Sequence, residues 1–168
     1  MRTLAFLAAL ALVGCNQSKD REHNPATKQL HGHDHDADED DHGDNVQHAG
    51  PYHAKLTSHL SEKEGNELDL HFETVGLTPK PIALALEKIV AKAKRAGDDK
   101  EYDLTFEPAP ADERPKDEKP GTCSHYVAKA PFMKGTDILT VTMKIVIREK
   151  ERTVEWKDFD VKKFGHKH

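Results

Sequence analysis

ILTVTMKIVI, residues Ile138 to Ile147, is the stretch that decides the fold. Leu139, Val141, Met143, Ile145 and Ile147 fall on one side of an extended chain, and Thr140, Thr142, Lys144 and Val146 on the other. Successive side chains of a strand point to opposite faces, so this period of two predicts a long strand with one apolar face. Downstream, the charged segment Arg148 to Arg152 predicts a hairpin into a second strand carrying Val154, Trp156 and Phe159, with Trp156 and Phe159 as core anchors. Upstream, Leu68, Leu70 and Phe72 alternate with Asp69, His71 and Glu73, and Tyr102, Leu104 and Phe106 repeat the pattern. Residues 52–60 and 122–130 are further strands, with Ala54 and Leu56 inward in the first and Tyr126 and Ala128 sharing a face in the second.

One segment is ambiguous. PIALALEKIVAKAKRAG, residues 81–97, places Pro81 at a helix start with Leu86, Ile89 and Val90 on one stripe. It also alternates as Ile82, Leu84, Leu86 and then Ala91, Ala93, and its neighbours favour the strand. EPAPADERPKDEKPG, residues 107–121, has four prolines among charged residues and is expected to be an exposed loop. About seven short strands at this spacing predict an all-β domain over 51–168, an antiparallel sandwich of immunoglobulin-like type.

Before residue 51 the texture changes. Residues 16–30, polar and aperiodic, read as a flexible spacer. HGHDHDADEDDHGDNVQH, His31 to His48, then sets five histidines (His31, His33, His35, His42, His48) among seven carboxylates, Asp34 and Asp36 included. This density lowers the hydrophobic content of the whole chain to 36% and raises the charged content to 33%, so the core must lie after residue 50. In a mobile chain, neutral imidazoles two residues apart converge on one ion and aspartates complete its coordination. Nitrogen and oxygen donors suit Zn2+, Ni2+ or Cu2+, loosely bound. A calcium loop starting at Asp38 has glycine at its sixth position (Gly43) but fails at its fifth (His42) and twelfth (Ala49). No His-Glu-x-x-His pair occurs. The alternative is a solvated linker whose histidines bind nothing.

The chain opens MRTLAFLAALALVGC. Arg2 precedes an apolar run, Leu4 to Val13, too short to span a bilayer. Leu12-Val13-Gly14-Cys15 resembles the bacterial lipobox. That resemblance implies a signal peptide over 1–14, cleavage before Cys15, palmitate-type acylation of its thiol, and a membrane anchor. The rest of residues 15–50 would then be a lipidated, disordered tether in the periplasm of a bacterial envelope. Asn16, rather than aspartate, favours the outer membrane.

Taken together, the lipobox, the His-x-His-x-His tail, the His48-Ala-Gly-Pro-Tyr-His53 junction and the ending His166-Lys-His168 resemble a group of His-rich bacterial lipoproteins with a small immunoglobulin-like domain. In that group the junction often reads His-Gly-Pro-His-Gly-Gly, from which Ala49, Tyr52 and Ala54 depart. The resemblance implies a partner in a metal-efflux or uptake system. His53, His166 and His168 are additional metal candidates. His48, His53, His59 and His71 could gather at one edge of the domain, or His59 and His71 could be ordinary solvent-facing strand residues.

Cys123-x-His125 is either a thiol–imidazole pair on one face or a small core thiol beside a surface histidine. With Cys15 acylated, Cys123 has no disulfide partner. No Gly-rich phosphate loop and no Gly-x-Ser-x-Gly is present, so no enzyme is expected. The absence of a basic patch with interleaved aromatics argues against nucleic acid. The expected function is metal buffering or delivery by an anchored lipoprotein. The alternative is an envelope interaction or scaffolding module for which the tether is only a spacer.

Overall fold

The strands that alternation predicts are all present in a computed structural model, which describes residues 43–167. They are β1 (Val46–Ala49), β2 (Tyr52–Leu60), β3 (Glu67–Thr74), β4 (Ile89–Arg95), β5 (Glu101–Pro108), β6 (His125–Lys129), β7 (Ile138–Ile147), β8 (Lys150–Asp160) and β9 (Gly165–Lys167). The domain is all-β, and every pairing but one is antiparallel. Strand order is β1-β2-β3-β6-β5-β4-β7-β8, with β9 beside β2 in parallel. Two layers form along this path, joined where β5 and β6 share only the pairs Glu107–Val127 and Pro108–Tyr126. The ends of the path meet where the Trp156 indole N–H donates to the Asn45 carbonyl at 2.9 Å, so the sheet is nearly closed into a barrel.

Seven of these strands are the seven that the sequence announces. β1 and β9 are not. Residues 46–49, expected at the end of the tether, pair with β2 through a two-residue turn, Gly50-Pro51. Gly50 has φ +69° and Pro51 fixes the next φ, the combination of a type II′ hairpin. Asn45 is already buried, its side-chain amide donating to the Leu56 carbonyl at 3.1 Å. The folded unit therefore starts before residue 51. The sequence does not announce this strand because it is short and mostly polar, and what stabilises it is distant in the chain: pairing with β2 and burial of Ala49 in the core.

The ambiguous segment contains no helix. Residues 81–88 are held by the Ile82 N–H to the Phe72 carbonyl (2.8 Å) and by two isolated bridges, Pro81 with Glu73 and Leu84 with Cys123. β4 then takes over with Ile89, Ala91 and Ala93 buried and Val90, Lys92 and Lys94 outward. The helical stripe would have buried Val90, which is 57% exposed.

Trp156 and Phe159, three apart, are both fully buried. Strict alternation would send one of them outward. A bulge resolves this: Leu139 faces Phe159 and Val141 faces Trp156, so β8 carries one residue more than β7, and Asp158 adopts φ +53°. The core they anchor includes Leu56, Leu68, Leu70, Phe72, Leu104, Phe106, Tyr126 and Met143. The Tyr126 hydroxyl lies 3.0 and 3.1 Å from the carbonyls of Leu84 and Leu86, which ties the 81–88 segment to the core. Burial pushes that phenol up to about 12.

Candidate functional site

The register fixes a histidine face. Ala54 and Leu56 point into the core, so His53, Lys55, Thr57 and His59 of β2 lie on the opposite face, where His53 and Thr57 are themselves buried. On β3 the outward residues are Glu67, Asp69, His71 and Glu73. Residues paired across strands share a face, giving rows His48–His53–Glu73, Lys55–His71–His125, Thr57–Asp69–Val127 and His166–His59–Glu67–Lys129. All six histidines among the described residues (His48, His53, His59, His71, His125, His166) lie on this one face. The outer face of β5-β4-β7-β8 carries none. It is covered instead by lysine–carboxylate pairs such as Lys92–Asp103 at 3.1 Å and Lys144–Glu151 at 3.5 Å.

Between the rows runs an open groove of about 660 Å³, lined by His59, His71, His125 and His166 with Glu67, Asp69, Glu73 and Glu113. Side-chain contacts in it centre on the β3–β6 pair. His125 Nε2 lies 2.9 Å from Asp69 Oδ1, and its Nδ1 lies 3.4 Å from the Glu113 carbonyl. The His71 ring stacks on His125, with centroids 4.2 Å apart and planes 16° off parallel.

Electrostatics separates the two rings. Burial, and then the neighbouring His125, push His71 down to about 4, against the opposing Asp69 carboxylate. Burial lowers His125 as well, but the hydrogen bond and charge of Asp69, with the Glu113 carbonyl, outweigh it and hold His125 above the ordinary imidazole value. One ring is thus kept neutral beside one that is disposed to charge.

Elsewhere on the face, His48 and His53 meet edge to face at 5.0 Å, and Lys129 pairs with Glu67. Among the described residues, no three His, Cys, Asp or Glu side chains are arranged to hold a metal ion as they stand. The stacked rings present their faces to each other rather than converging their nitrogens.

Of the residues expected from the sequence to bind metal, His48, His53 and His166 are on this face. His31, His33, Asp34, His35, Asp36, His42 and His168, with the lipidation candidate Cys15, lie outside the described residues. Of the four histidines that the sequence leaves open as a cluster or as ordinary strand residues, His59 and His71 line the groove, and His48 and His53 contact each other.

Cys123 and His125 do not share a face. Cys123 is buried in the core, its thiol donating to the His125 carbonyl at 2.7 Å, whereas the imidazole points into the groove. β6 begins only at His125, so strand alternation does not extend back to the cysteine. The pairing of His125 with Asp69 is not legible in the sequence because nothing local singles out Asp69 from the other outward polar residues of β3 or joins it to β6. Their register partners across β3 and β6 were the missing information. The 107–121 loop also does more than cover surface: Glu118 accepts from the Ser124 N–H (2.9 Å) and hydroxyl, and Glu113 reaches His125.

No family model, no curated protein sequence and no solved structure matches this chain. Its function must therefore be argued from the chemistry of its own residues. Among the described residues, no helix is long and apolar enough to cross a membrane.

Proposed function

We propose that this chain is a membrane-anchored envelope lipoprotein that binds a divalent transition ion, Zn2+, Ni2+ or Cu2+, for buffering or for delivery to a transport system. In this reading Cys15 carries the lipid. The His31, His33, His35, His42 and His48 imidazoles, with Asp34 and Asp36, capture the ion, and His53, His166 and His168 extend the binding surface. The observation that supports it most is the placement of every described histidine on one outer face, leading directly from the His/Asp-rich run through His48. Six imidazoles scattered at random over two outer faces would not segregate in this way. Neutral nitrogen donors beside carboxylates are what borderline divalent ions select.

Calorimetric titration of the full chain in detergent with Zn2+, Ni2+ and Cu2+, at about pH 7.5 and about pH 5.5, tests the reading, because imidazoles protonate near 6.5. Uptake at the higher pH, weakened at the lower and reduced by replacing His31, His33, His35, His42 and His48 with serine, is the expected result. Uptake no tighter than about millimolar in the unsubstituted chain (about 4 kcal/mol of binding) would overturn it and leave an interaction module whose tether is a spacer.

A further inference from the structure

We propose that Asp69, His71 and His125 form a second metal site on the folded domain, which takes one divalent transition ion of the Zn2+ type. This site goes beyond the tether reading and stands or falls independently of it. β3 offers Asp69 and His71 two residues apart on one face, and β6 offers His125 directly across from His71. Three donors therefore come from two hydrogen-bonded strands, whose backbone register sets their spacing before any ion arrives.

Two of the donors already stand at ligand separation. Zn2+ holds nitrogen and oxygen at about 2.0–2.1 Å, and a tetrahedral angle then puts two ligand atoms about 3.3 Å apart. His125 Nε2 and Asp69 Oδ1 are 2.9 Å apart, so an ion entering between them has to spread the pair by only a few tenths of an ångström. The other nitrogen of His125 faces the Glu113 carbonyl. A metal-bound histidine ordinarily donates its second N–H to just such an acceptor. Nε2, which donates to Asp69 in the metal-free chain, would release that proton as the ion takes its place.

His71 supplies the third donor by turning out of its stack on His125 into the groove, which has room for the ring, the ion and a water in the fourth position. Because that turn is needed, the three groups do not converge in the metal-free chain. The ion itself would bring them together. The surroundings favour a cation: Glu67, Glu73 and Glu113 line the same groove, and Lys55, across from His71, is the one lysine among its lining residues. Two nitrogens and one carboxylate suit zinc and disfavour Ca2+ and Mg2+, which take oxygen.

The test uses the full chain with His31, His33, His35 and His42 replaced by serine, titrated with Zn2+ alone against a chromophoric chelator. One bound ion per chain is expected. Asp69→Asn and His125→Asn should each weaken it at least about tenfold, by analogy with the loss of a ligand's supporting partner. Nitrogen NMR of the imidazoles should show the His71 and His125 resonances, and not that of His59, moving with added Zn2+. Trp156 fluorescence reports whether each variant folds. If one does not, the NMR shifts in the chain that keeps Asp69 and His125 decide the matter alone. No ion bound by the serine-substituted chain, an affinity indifferent to Asp69 and His125, or unmoved ring resonances would each overturn the proposal. In the first case, binding confined to the unsubstituted chain would still support the tether reading.

Discussion

Gly165→Ala is the substitution that tests how β9 is seated. Gly165 sits opposite Ser58 of β2, where the chain passes close enough that an added Cβ would lie 2.7 Å from the Val161 carbonyl oxygen and 3.3 Å from Ser58 Oγ. The first contact is with backbone, so no side chain can swing aside to relieve it. The same corner holds a buried hydrogen bond from Ser58 Oγ to that Val161 carbonyl, at 2.8 Å, and the Ser58 N–H to the Phe164 carbonyl, at 3.1 Å. Overpacking of this kind costs about 1–3 kcal/mol, and a weakened buried hydrogen bond adds about 0.5–1.5 kcal/mol.

The chain has a cheaper escape, because β9 is only three residues long and can lift off β2. The expected loss is accordingly about 2 kcal/mol, near the lower end of the combined range, or a fall in Tm of about 8 °C. Urea unfolding followed through the single tryptophan, Trp156, measures the global part. Amide exchange at Ser58 and His166 measures the local part. Protection should collapse at those two amides while the β7–β8 amides stay protected in proportion to global stability. A variant within about 0.5 kcal/mol of the original chain, with β9 protection intact, would refute the reasoning.

Trp156→Phe removes the donor to the Asn45 carbonyl and leaves a void in the core, and should cost about 2–3 kcal/mol by thermal unfolding; a cost under about 1 kcal/mol would mean that Asn45 is not clamped there. Glu149→Gly should stabilise by about 0.5–1 kcal/mol, seen as a higher urea midpoint, because Glu149 holds φ +64° in the two-residue turn between Ile147 and Lys150. Asp98 accepts the Lys100 N–H at 2.9 Å and the Arg95 guanidinium at 2.7 Å, with the Tyr102 hydroxyl at 3.1 Å, and these hold its carboxyl at about 2. Its folded value is depressed, so its contribution is present above the ordinary value of 3.8 and is lost as pH falls toward 2. An NMR titration of the Asp98 carboxyl carbon with its midpoint near 3.8 would contradict that network.

The His/Asp-rich run could be recognised from the sequence because composition alone marks it, but nothing in composition says what an imidazole four strands away will face. His71 was visible as an outward residue of a confident strand, and His125 as a residue beside Cys123. What made them a pair was the β3–β6 register, which joins residues 54 positions apart and depends on a loop between β5 and β6 whose path no local pattern encodes. The same limit explains why the sequence leaves Cys123 open between a pair with His125 and the core thiol that it is. Alternation holds only inside a strand, and where β6 begins is decided by which backbone groups find partners on β3.

By itself, the sequence determined the all-β class and seven of the strands, because a period of two between polar turns needs only local chemistry to be recognised. It also determined where the imidazoles and carboxylates are concentrated. The tertiary structure alone decided that β1 and β9 join the sheet, that β8 bulges to bury both Trp156 and Phe159, and that all six described histidines share one face. Each of these depends on pairing between distant segments. Short strands such as Val46–Ala49 and Gly165–Lys167 have too little hydrophobic pattern of their own, and they exist because β2 offers them hydrogen bonds and a surface to cover.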